Sequence, residues 1–304
     1  MPVSVDGRPG FVRAMPWLFV VIWSTGFVVA RGAMPHAPPF GFLAIRFALS
    51  FLCLAAWVAA VGAAWPVGRQ RLHLVVTGVL MQAGYLGGVW AAVKAGLGAG
   101  TVALIVGLQP VLTAIWVAQG SRAGGQAGVT SRQWLGLTFG FAGIGLVVWR
   151  KLGGEVTPAN LAMSVIALLG ITIGTLYQKR FVRPCDVRSA SAVQMLAGLV
   201  VCAPLALLET ETIQWHVDLV AAMAWSVVVL TLGGSSLLYL LIQRGEATVV
   251  TSLLYLVPPC TALMAWAMFG ESLTPIMMLG LALTVVGVAL VVRSPNRLET
   301  KEIP

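Results

Sequence analysis

Long apolar runs, broken by short polar stretches rich in Gly, Pro and Arg, recur along the chain from about residue 14 to residue 292. A helix that crosses a bilayer needs about 20 apolar residues, because each residue rises only about 1.5 Å. That window places spans near 14–33, 40–62, 72–93, 101–119, 133–149, 159–178, 189–208, 219–242, 248–269 and 275–292. The pattern predicts an all-α membrane protein with ten transmembrane helices.

Composition agrees. Of the 304 residues 59% are hydrophobic and only 10% charged, so a soluble fold has no place to hide this apolar surface. The net charge of +9 would suggest nucleic acid in a soluble protein, but its distribution says otherwise. With the N-terminus in the cytoplasm, fourteen Lys and Arg fall on the cytoplasmic side. Four fall outside (Arg31, Lys94, Arg150 and Lys151), and Arg46 remains inside a span. This positive-inside bias puts both termini in the cytoplasm of an inner-membrane protein. The expected partners are the lipid bilayer and a small-molecule substrate, with no nucleic acid. The first apolar run is too long for a cleavable signal peptide and no small-residue cleavage site follows it. Cys53, Cys185, Cys202 and Cys260 have no metal or redox spacing, so they read as plain thiols, and no cofactor or metal is expected.

The two halves read alike. Leu135-Gly136-Leu137 through Gly140 and Gly143 matches Leu279-Gly280-Leu281 through Thr284 and Gly287. One span earlier, Leu108-Gln109-Pro110 matches Leu256-Val257-Pro258. The offsets are 144 and 148, as a duplication with one altered loop would leave. Repeats over 14–149 and 159–292 follow, with tails at 1–13 and 293–304 and an external linker at 150–158. Five spans per copy is an odd number, so the second copy enters the membrane upside down. Inverted repeats of this kind place a substrate cavity where the halves meet. Gly84 with Gly88, Gly136 with Gly140, and Gly280 with Thr284 are small residues four apart, the spacing at which helix backbones approach in lipid. The fifth and tenth spans, nearly free of polar side chains, read as scaffold or dimer-contact helices. Monomer and homodimer both remain open.

These residues resemble the EamA branch of the drug/metabolite transporter superfamily. The resemblance rests on Trp23-Ser24-Thr25-Gly26-Phe27 in the first span and Arg46-Phe47 in the second. It also rests on Pro258 followed by Gly270-Glu271, Gly280 and Gly287. It covers nearly the whole chain, and the first copy departs from it by lacking a counterpart of Glu271. It implies ten helices, a central cavity and alternating access. The length and span count are similar to those of an aromatic-amino-acid exporter in that family, although no residue here selects such a substrate.

Polar groups inside a bilayer are costly and so are candidates for function. Arg46 lies roughly 9 Å into the second span at 1.5 Å per residue. It can snorkel to the outer interface, attract a substrate carboxylate, or bind the broken end of a neighbouring helix. Gln82 and Tyr85 lie three apart and are expected on one face of the third span, with Trp90 two turns beyond Gln82. Tyr239 and Gln243 form a similar pair in the eighth span, and Tyr255 and Trp23 complete the candidate aromatic lining. The alternative for each is an interhelical hydrogen bond. Pro110, beside Gln109, and Pro258 are expected to kink the fourth and ninth spans at matching points. Tyr177 and Gln178, next to Lys179, Arg180 and Arg183, read as an interface anchor. All ten acids lie in termini, loops or span ends, which disfavours the alternative of a proton-coupled drug exporter. An enzyme lacks an intramembrane nucleophile–base pair, and a non-transporting scaffold leaves the duplication unexplained. The expected function is a secondary transporter that exports or exchanges amino acids or similar small metabolites.

Overall fold

The computed structural model describes residues 10–122, 131–151, 154–234, 237 and 256–292. Among these residues the only regular secondary structure is helical. The helices are α1 (Gly10–Ala33), α2 (Pro39–Val61), α3 (Gly68–Lys94), α4 (Ala99–Val106), α5 (Gln109–Arg122), α6 (Ser131–Lys151), α7 (Pro158–Phe181), α8 (Val187–Ala206), α9 (Val217–Gly234), α10 (Val257–Phe269) and α11 (Pro275–Val292). Five of them (α2, α3, α7, α8 and α9) are long and apolar enough to cross a membrane. The remaining apolar stretches are shorter.

Local sequence explains where the helices begin and end. Thr157 and Asn160 form a capping box ahead of α7, each side chain accepting the other's backbone N–H. Asp186 caps α8 by accepting from Arg188 N and Ser189 N. Gly62 closes α2 at a φ of 64°, where a side chain would strain the backbone. The fourth span is broken, since α4 stops at Val106, Gly107 and Leu108 form a turn, and α5 restarts with Pro110 as its second residue. Pro258 likewise stands in the first turn of α10, which begins at Val257. Both prolines therefore stand in the first turn of a helix, where a missing N–H costs nothing. The break at Gly107 meets the start of α10, because a Cβ on Gly107 would stand 2.8 Å from Pro258 Cγ.

Corresponding spans of the two halves pack on each other: α2 on α8, α4 on α10 and α6 on α11. Further contacts between the halves join α3 to α7 and α8, and α1 to α9 and α10. The pairs run antiparallel. In the α6–α11 seam Gly143 abuts Gly280 while Gly287 abuts the Gly136 carbonyl, so each contact is the repeat image of the other. In the α2–α8 seam Phe47 faces Gly198 and Trp57 lies under Arg188. A two-repeat layout fits this arrangement.

One end of the bundle is tied by polar links across the halves. Lys94 Nζ pairs with Glu211 Oε1 at 2.6 Å and donates to Met34 O at 2.8 Å. Glu209 accepts from Phe40 N and Gly41 N at the start of α2. Glu271 accepts from Ala99 N at the start of α4, with Arg31 Nε 3.8 Å from its Oε1. Glu209 and Glu271 each sit where a helix N-terminus has orphan donors and a partial positive charge.

Candidate functional site

The second and third spans bring together the polar groups that the middle of the bundle contains. α2 presents Arg46 and, one turn on, Ser50, both buried. α3 is π-helical over Val79–Leu86, the stretch that holds Gln82, Gly84 and Tyr85. α9 carries a second π-helical stretch over Trp225–Gly234, in the corresponding span of the other half. Such segments concentrate at functional sites because the i→i+5 ladder widens the helix and re-aims its side chains.

With an extra residue per turn, positions three apart no longer line up. Gln82 Cβ lies where α8 leaves room for it at Gly198, beside Phe47. Tyr85 and Trp90, five apart, both approach Arg46 instead. Trp90 stacks on Phe42 at 4.4 Å and lies under the Arg46 guanidinium, 6.0 Å from ring centroid to Cζ, and Tyr85 is within its electrostatic reach.

Arg46 does not snorkel. Its residue is 6% exposed and its Nε has no hydrogen-bond partner. Among the described residues no carboxylate pairs with it. A full charge held in this way costs several kcal/mol unless something supplies the opposite charge. Two further buried hydroxyls lack partners, Thr113 Oγ1 on α5 and Ser226 Oγ in the π stretch of α9. Around them Ser50 Oγ donates to Thr231 Oγ1 at 3.3 Å, and Gln109 Nε2 donates to Thr175 Oγ1 at 3.3 Å. Trp23 is half-buried on α1, with its ring 5.3 Å from that of Phe19.

Tyr239, Gln243 and Tyr255 lie outside the described residues. Of the small residues, Gly88 lies against the Met163 carbonyl of α7, 2.6 Å from where its Cβ would be, and Gly84 faces Gly170. Gly136, Gly140, Gly280 and Thr284 all sit in the α6–α11 seam, with Thr284 Oγ1 donating to Gly280 O at 2.9 Å. Ser50, Thr113, Thr175, Ser226 and Thr231 escaped the sequence reading because small hydroxyls in apolar helices satisfy their own backbone as readily as a ligand. The i, i+4 spacing of Arg46 and Ser50 was the available signal.

His36, His216 and Asp218 bring ligand-type atoms within 4.8 Å of one another at the tied end of the bundle. His216 Nδ1 already accepts from Asp218 N at 3.3 Å and the imidazoles stack at 4.7 Å, so no metal is assigned there.

Among curated proteins, the uncharacterized inner membrane transporter YedA of Escherichia coli K12 is 27% identical over 280 residues, covering 89% of this chain and 87% of its own. The uncharacterized transporter YvbV of Bacillus subtilis is 25% identical over 283 residues, covering 90% and 88%. A probable amino-acid metabolite efflux pump of Salmonella typhimurium is 22% identical over 284 residues, covering 89% and 91%. One crystal structure shares the fold with a TM-score of 0.63 at 19% identity, over 97% of this chain and 100% of the other. The EamA-like transporter family matches residues 15–149 and 159–293, the two halves read from the glycine and proline repeats, and the chain belongs to that family.

Proposed function

We propose that the protein is a secondary transporter that exports or exchanges amino acids or similar small carboxylates across the bacterial inner membrane by alternating access. In this reading the chain forms ten spans as two inverted five-helix repeats around a central cavity, with both termini cytoplasmic. The antiparallel packing of corresponding spans supports the inversion, because a two-fold axis perpendicular to the helices turns one half over relative to the other. The matched π-helical stretches in α3 and α9 supply equivalent deformable points in the two halves. The name of the Salmonella relative points to the same substrate class.

The observation that carries the substrate reading is Arg46. A buried guanidinium with an unpartnered Nε, beside Tyr85 and Trp90, offers a carboxylate two charge-assisted hydrogen bonds and an aromatic wall for the rest of the molecule. Gln82, Gln109 and Trp23, with Tyr239, Gln243 and Tyr255, complete the proposed lining. The span interiors contain no Asp or Glu, so facilitated diffusion or exchange is favoured over proton antiport.

Flux of labelled amino acids into proteoliposomes tests this. The expected result is uptake that an excess of the same amino acid inhibits and that the decarboxylated amine does not. Equal transport of acid and amine would remove Arg46 from the substrate site. No flux of any carboxylate metabolite would remove the substrate class.

A further inference from the structure

Where the start of α3 meets the end of α7, a recess of about 510 Å³ opens at the end of the bundle opposite the tied one. Arg69, Gln70, His73, Arg180 and Arg183 line it together with the apolar side chains of Val67, Phe181 and Val182, the first two of them exposed. Its walls are held in place by hydrogen bonds between the two helix ends. Gln70 Oε1 accepts from Arg183 N at 3.2 Å while its Nε2 donates to Arg183 O at 2.8 Å. His73 Nδ1 is 2.8 Å from the Tyr177 hydroxyl, and its ring stacks on Phe181 at 5.4 Å.

The charge in this recess is unbalanced. No acid lines it, and among the described residues none pairs with Arg69, Arg180 or Arg183. Asp186, close by in sequence, is engaged by Arg188 at 2.6 Å. The residue before α3, Val67, caps it with no side-chain bond, which leaves the first amides of that helix as further donors. The carboxyl end of α7 opposes an anion with only about half a charge, against three whole guanidinium charges.

We propose that this recess binds a phosphate group. Guanidinium forks match phosphate oxygens in pairs, and basic pockets between transmembrane helices suit the phosphates of lipid headgroups. Val67, Phe181 and Val182 give the glycerol and upper acyl carbons of such a lipid an apolar surface to lie on. An anionic lipid and a soluble phosphate share this chemistry, and the experiment separates them.

The full chain is placed in nanodiscs of phosphatidylcholine alone, of phosphatidylcholine with phosphatidylglycerol, and of phosphatidylcholine alone with added pyrophosphate. Melting temperature and lipid retention in native mass spectrometry are read for each. The variant Arg69→Gln/Arg180→Gln/Arg183→Gln empties the recess of charge. Arg71→Gln/Arg132→Gln/Lys179→Gln removes the same charge at the same end but outside the recess. At about fivefold per charge, the first variant is expected to lose about a hundredfold in apparent affinity. The second is expected to keep most of it. A phosphatidylglycerol effect with this pattern assigns the site to lipid, and a pyrophosphate effect with this pattern assigns it to a soluble phosphate. Equal losses in the two variants, or a wild type indifferent to both probes, overturn the proposal. Should the triple variant fail to fold, Arg180→Gln read against its neighbour Lys179→Gln makes the same comparison.

Discussion

Arg46 shows how burial changes the meaning of one residue. From sequence it can reach water, bind a carboxylate or cap a broken helix. Burial to 6% exposure, with Trp90 beneath it, removes the first choice. The energetic consequence is testable. Replacing an unpaired buried charge by an apolar chain of similar length is neutral or stabilising, so Arg46→Met is expected to melt at or above the wild-type temperature. Its amino-acid flux is expected to fall about 10–100-fold, the equivalent of about 1.5–3 kcal/mol for hydrogen bonds to a charged group. A variant that loses stability and flux together would make Arg46 a structural residue. Glu271 moves the other way, from a family signature of open function to a plain structural task. It accepts from the first amides of α4 and is mostly buried. Glu271→Ala is expected to cost about 1–2 kcal/mol, measured by denaturation in detergent, with Glu271→Gln in between because one acceptor remains.

At the scale of helices, glycine placement decides which pairs approach closely. In the α6–α11 seam a Cβ on Gly287 would strike the Gly136 carbonyl and stand 2.7 Å from Gly140 N, whereas one on Gly145 meets nothing within 4 Å. Gly287→Ala is therefore expected to destabilise by about 1–3 kcal/mol and Gly145→Ala to leave the melting temperature unchanged. Equal effects would mean that helix propensity, not packing, governs these positions. The glycine spacing marked these helices from sequence as ones that pack closely, but not that they would pack on each other. The π-helical stretches were not legible. Their sequences, VLMQAGYL and WSVVVLTLGG, fit an ordinary α-helix, and the extra residue per turn is a response to neighbours that local propensity does not encode.

For the whole molecule, the central expectation is a pair of halves turned over relative to each other. Cysteine-accessibility mapping in right-side-out vesicles is expected to find the chain ends at 1–13 and 293–304 on the same, cytoplasmic side. Opposite sides would break the inverted-repeat reading. Flux is expected to persist without a pH gradient, because no carboxylate lies inside a span to carry the proton. Strict proton dependence would place a coupling group that the span interiors do not show. The ties at one end (Lys94 with Glu211, Glu209 on α2, Glu271 on α4) join the halves there, and the alternating access proposed above requires them to separate.

Membrane class, duplication and family membership are all decided by one-dimensional patterns: apolar run length, charge asymmetry and repeated small residues and prolines. These follow from solvation, because the bilayer imposes its thickness and dielectric on each segment separately. Which polar groups meet, and which remain unpaired, was decided only when the helices packed. Among the described residues Arg46 finds Trp90 and no acid, Gln82 turns toward α8, and the break at Gly107 meets Pro258, all through contacts between segments far apart in the chain. Rotation of a helix about its own axis has little cost in lipid until a neighbour fixes it, so those facts belong to the tertiary structure.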